Sequence, residues 1–82
     1  MEQKFIIKLP LFYRAKGQLF IGSGFYVSSV EYSNFKRTYE PTEFTYTKAM
    51  VLQIAMKVFH GVEVDIMEVK TDKFLQKILQ NK

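Results

Sequence analysis

The chain is 82 residues long, 48% hydrophobic and 16% aromatic, with eight Phe, five Tyr and no Cys. That apolar content excludes a disordered chain, the length leaves room for a single domain over 1–82, and the missing cysteines exclude a disulfide framework or a thiolate zinc site. Twelve basic side chains against eight acidic ones give a net charge of +4, which suits nucleic acid or an acidic protein surface as partner.

The opening segment, MEQKFIIKLP, carries Glu2 and only a brief apolar run, without the long apolar region and cleavage site of a signal peptide. No apolar stretch approaches the ~18 residues of a membrane span, so the expectation is a cytoplasmic protein with no membrane partner. Residues 4–9 alternate, with Phe5, Ile7 and Leu9 on one face and Lys4, Ile6 and Lys8 on the other, predicting a half-buried strand that Pro10 limits. Two aromatic runs flank Ala15-Lys16-Gly17-Gln18 and predict a hairpin. Gly22 and Gly24, around Ser23, predict a bulge, a bend or a loop. The β-like composition continues to residue 46, punctuated by Ser33-Asn34 and Glu40-Pro41, and gives roughly two to four antiparallel strands after residue 10.

A helix is expected at about 47–60, with Thr47 as N-cap and Gly61 as the left-handed stop. Residues 62–69 then alternate strictly and predict a strand, with Val62, Val64 and Ile66 on one face and Glu63, Asp65 and Met67 on the other. A C-terminal helix is expected over 72–81, where Phe74, Leu75, Ile78 and Leu79 form an apolar stripe. The resulting fold class is α+β: a small antiparallel sheet of roughly three to five strands against a central helix, then a strand and a C-terminal helix.

The central helix is unusually apolar. At ~100° per residue, Gln53, Lys57 and His60 occupy a narrow arc, with Met50 and Met56 at its borders. The apolar remainder exceeds half the circumference, so cover is expected from the sheet on one side and from the C-terminal helix on another. Met50, Gln53, Met56, Lys57 and His60 are the candidate contacts on this helix, since Met at a surface suits adaptable binding.

Catalytic patterns fail. KGQLFIGSGF lacks the Gly-Lys-Ser/Thr of a phosphate loop, and Val27 stands where a dinucleotide motif needs its third glycine. His60 is the sole histidine; Glu63 and Asp65, its nearest carboxylates, match no metal-ligand spacing. The serines at 23, 28, 29 and 33 lie in nothing resembling a nucleophile elbow. The expectation is a non-enzyme without metal or cofactor.

Basic and aromatic residues do interleave. YSNFKRTY combines Tyr32, Phe35 and Tyr39 with Lys36 and Arg37, and LFYRAK places Tyr13 beside Arg14 and Lys16. Cations hold phosphates while rings stack on bases, so these residues are candidates for a nucleic-acid or protein partner. Lys16-Gly17 begins the RNP1 pattern, but Gln18 stands where an aromatic is needed. Lys70, Lys73 and Lys77 add a basic stripe near the C-terminus.

The segments KFIIKL and YEPTEFTYTKAMVLQIAMKVFHGVEVDIMEV resemble a layout in small proteins encoded by phages and prophages of Gram-positive bacteria. The similarity spans residues 4–9 and 40–69 and consists of cap, helix, stop and strand, with no catalytic residue to carry over. Members of that group that are understood bind and block host proteins, including CRISPR nucleases. The resemblance therefore implies a non-enzymatic accessory protein that binds and modulates or inhibits a host or defence protein in the cytoplasm of a bacterial host. The alternative is a nucleic-acid-binding accessory protein, and a third reading has the apolar helix form a homodimer.

Overall fold

The structure is a computed structural model and describes residues 3–69. The first alternating segment forms β1 (Phe5–Lys8), with Ile7 and the following Leu9 in the core. After Pro10 the chain leaves this sheet, because Pro has no amide to extend a ladder. It forms a separate antiparallel hairpin of β2 (Phe12–Ala15) and β3 (Gln18–Ile21). Lys16 and Gly17 have φ of 52° and 77°, the two left-handed residues of the tight hairpin turn that matches strand twist.

Gly22 accepts from Phe25 N–H at 3.0 Å in a tight turn that returns the chain to the main sheet as β4 (Tyr26–Val30). A four-residue connection, 31–34, leads to β5 (Phe35–Thr38), with Glu31 N–H donating to Asn34 O at 2.7 Å. The β4–β5 register slips between Val27 and Ser29, leaving Ser28 as a bulge.

The helix α1 spans Tyr46–Ala55 and continues as a π-helical turn, Met56–His60. Its N-cap is Thr45 and not Thr47: the Thr45 hydroxyl accepts from Lys48 N–H at 3.3 Å. Phe44 fixes the choice, since it is held extended by a reciprocal pair of bonds with Phe5 at 2.7 and 2.8 Å, and the helix begins directly after it. The early start also brings Tyr46 onto Phe5, with ring centroids 5.1 Å apart. Gly61 closes the helix in the left-handed conformation, its N–H donating to Lys57 O at 3.0 Å.

The last strand, β6, is shorter than expected. It spans Asp65–Glu68 instead of 62–69 and pairs with β1 from Phe5↔Glu68 to Lys8↔Asp65. Val62 and Val64 keep the alternation and are buried, but β1 has no residues left to pair with them. The main sheet is thus antiparallel with order β5-β4-β1-β6, and the hairpin forms a second, two-stranded sheet. The main sheet's four strands fall within the three to five expected, and the separate two-stranded sheet is the departure among the described residues.

One face of α1 lies on β1, β4 and β6, burying Ala49, Leu52 and Met56 against Ile7, Val27, Val62 and Val64. Gln53 fastens the helix to the strand segment through a 2.9 Å bond from Nε2–H to Val64 O. The opposite face, with Val51, Ile54 and Val58, is exposed, so the expected cover on a second side is not supplied by the described residues. The helix expected over 72–81 and the Lys70, Lys73 and Lys77 stripe lie outside the described residues. Among those residues, no helix is long and apolar enough to cross a membrane.

Candidate functional site

Strand alternation in the β2–β3 hairpin puts Tyr13, Ala15 and Phe20 on the face turned toward the main sheet. Tyr13 is buried there, stacked on Phe20 at 5.5 Å and edge-on to Phe35 of β5 at 5.8 Å. Arg37, two residues along β5 and on the same face as Phe35, ties the hairpin down. Its Nη1 donates to the Tyr13 hydroxyl at 3.0 Å and to Ile21 O at 3.2 Å. The guanidinium carbon lies 4.5 Å from the Phe25 ring centroid and 5.7 Å from that of Phe20, so aromatic faces also attract the charge. Among the described residues no carboxylate pairs with Arg37.

The end of the helix supplies another wall. Phe59 meets Tyr32 edge to face at 5.2 Å, and His60 meets Phe35 in the same manner at 5.1 Å. His60 Nε2 lies 2.9 Å from Glu31 O; a carbonyl only accepts, so Nε2 carries the proton and donates. The π turn contributes to this placement, because one extra residue in the turn rotates the side chains after it by about 100° relative to an α-helix.

Between the two hairpin tips and the helix end lies a cleft of about 410 Å³. Tyr13, Ala15, Phe20 and Phe35 line it from the strands, Lys16, Tyr32, Ser33 and Asn34 from the turns, and Arg37, Phe59 and His60 complete it. Rings and cations line this cleft, and no Asp or Glu does. Such a surface can hold a flat ring or an anion, and it presents no acid–base pair of carboxylates. Among the described residues, no group of three His, Asp, Glu or Cys could hold a metal ion.

Six of the residues singled out from sequence meet here: Tyr13, Lys16, Tyr32, Phe35, Arg37 and His60. The others do not. Arg14 lies on the outer face of the hairpin, Lys36 points away from the Phe35–Arg37 face, and Tyr39 packs on Phe25 at 4.4 Å. Lys57 is exposed and pairs with Glu63 at 3.0 Å, while Gln53 is occupied by Val64 O. Met50 is partly exposed on the outer side of α1. Met56 is corrected outright as a surface contact: it is fully buried in the core. Phe20 and Phe59 are lining residues that the sequence pattern did not single out. Phe20 follows from hairpin register, opposite Tyr13, whereas Phe59 depends on the π turn and has no local signal.

A second surface lies on the other side of the hairpin. Phe12, Leu19 and Ile21 are 58 to 61% exposed, and β-pairing sets Phe12 beside Ile21 and Arg14 beside Leu19 on one face. Compared with known proteins, the chain matches no family model, no curated sequence and no solved structure.

Proposed function

We propose that the protein is a non-enzymatic accessory protein that binds another protein and modulates or inhibits it. The observation that supports this reading is the outer face of the β2–β3 hairpin, where Phe12, Leu19 and Ile21 stand exposed around Arg14. Contiguous apolar surface of this kind on a small domain marks an interaction site. The net charge of +4 favours a partner whose apolar patch is rimmed by carboxylates. The resemblance to small phage-encoded proteins makes a host or defence protein in the bacterial cytoplasm, such as a CRISPR nuclease, the natural candidate.

The test is affinity capture from a bacterial lysate with the wild-type chain and with Leu19→Asp, each with and without nuclease. A partner retained after nuclease and lost with Leu19→Asp supports the reading. A partner held equally by Leu19→Asp, or one lost on nuclease treatment, overturns it. Sedimentation checks the remaining case: if the wild type self-associates and Leu19→Asp does not, the face joins copies of this chain and the reading fails.

A further inference from the structure

The aromatic cleft has a chemistry unlike that of the apolar hairpin face. Tyr32 is 81% exposed, yet its ring is set against Phe59, giving the rim an aromatic corner open to solvent. Lys16 and Arg37 stand among the lining residues with no carboxylate opposing them. Both hydrogen bonds of Arg37 come from Nη1, which leaves the rest of its donor fork for another acceptor.

Two backbone features fall at this cleft. Lys16 has φ of 52°, a conformation that Asn or Gly fills with less strain, and it places a cation among the residues that line the cleft. The π turn presents Phe59 and His60 to it, and π turns recur at functional sites. A volume of about 410 Å³ lies in the range of small-ligand pockets.

We propose that the cleft binds a nucleotide, with the base against Tyr32 and Phe59 and the phosphate drawn to Lys16 and Arg37. Ring and anion are both required: stacking alone leaves the cations without a counter-charge, and phosphate alone leaves the aromatic corner empty. The same chemistry is offered by a free nucleotide and by one unstacked residue of a single strand.

The experiment titrates the full isotope-labelled chain, followed by NMR, with AMP, adenosine, inorganic phosphate and a five-residue DNA oligonucleotide at low salt. AMP is expected to shift the amides of residues 15–20, 31–37 and 59–60 saturably, with adenosine and phosphate each at least tenfold weaker. Removing one stacking ring costs about fivefold or more, so Tyr32→Ala is expected to weaken AMP by that factor. Lys16→Asn keeps the turn and is expected to weaken AMP while leaving adenosine unchanged. An oligonucleotide at least tenfold tighter than AMP on the same amides makes a strand the source; equal affinity makes it the free nucleotide. The proposal is overturned if neither AMP nor the oligonucleotide shifts these amides at millimolar concentration. It is equally overturned if Tyr32→Ala and Lys16→Asn both bind like wild type. Leu19→Asp, on the opposite face of the hairpin, is expected to leave AMP binding intact, so this inference and the protein-docking reading fail separately.

Discussion

Gly22→Ala is the sharpest test of how the hairpin is held on the sheet. A Cβ built on Gly22 lies 2.2 Å from Pro10 O, 3.0 Å from Leu9 Cβ and 3.1 Å from Tyr13 Cδ1. Ordinary contact begins at 3.4 Å, so the clash with Pro10 O is 3.4 − 2.2 = 1.2 Å, and the obstacle is backbone that cannot rotate away. The same segment is pinned by Gly22 N–H to Leu11 O at 2.8 Å. Moving it by the clash distance carries that bond beyond the ~3.2 Å limit of a good hydrogen bond.

Losing a bond at a buried position costs about 1–3 kcal/mol, and the residual overpacking adds a comparable amount, giving roughly 2–6 kcal/mol in all. A domain of this size has a total stability of roughly 4–12 kcal/mol, so the variant loses a large share of it. Gly61→Ala is the reference: its φ is 69° but nothing lies within 4 Å, so only the left-handed penalty of about 1–2 kcal/mol applies. Urea unfolding followed by far-UV circular dichroism measures both. The expected order is Gly22→Ala below Gly61→Ala below wild type. A Gly22→Ala loss under ~0.5 kcal/mol, or smaller than that of Gly61→Ala, refutes the close approach of Gly22 to Pro10.

The remaining predictions use the same unfolding measurement. Thr45→Ala is expected to cost about 1 kcal/mol and Thr47→Ala under ~0.5, and the reverse order would return the cap to Thr47. Met56→Ala is expected to cost about 2–5 kcal/mol, whereas Val58→Ala, 69% exposed, stays within ~0.5; equal losses would mean that Val58 is covered. Lys16→Asn relieves the left-handed lysine and is expected to stabilise by about 1 kcal/mol, so a stability gain accompanies the predicted loss of AMP affinity. Tyr13→Phe removes the acceptor of Arg37 Nη1 and is expected to cost about 0.5–1.5 kcal/mol. In an Arg37→Gln background the same change should cost measurably less, and equal costs would deny the bond.

Much of the fold is legible because its signals are local. The alternation of Phe5, Ile7 and Leu9 and the Lys16-Gly17 turn need no knowledge of distant residues, and both stand in the structure. The misplacements arise where a distant partner decides. Thr45 and Thr47 are equally good caps by composition; the bridge between Phe44 and Phe5, nearly forty residues apart, selects Thr45. The 62–69 alternation persists through Val62 and Val64, but pairing stops at Asp65 because Lys8 is the last residue β1 offers. Helical periodicity likewise sets Met56 beside a polar arc, whereas its side chain fills the space between helix and sheet.

The cleft shows why a basic-aromatic run is not itself a surface. YSNFKRTY reads as one patch, but strand alternation divides it: Phe35 and Arg37 face the hairpin while Lys36 faces away. Arg37 is then drawn into holding Tyr13 and Ile21, and Tyr39 is drawn onto Phe25. The rings that join Phe35 and Arg37 at the cleft come from elsewhere in the chain, Phe20 through hairpin register and Phe59 through a π turn. Arg37 therefore serves two ends, fastening the hairpin through Nη1 while it lines the cleft. Any ligand that recruits Arg37 also tightens the joint between hairpin and sheet, so its binding should protect the amides of β2 and β3 from hydrogen exchange. A ligand that binds without that protection is not using Arg37.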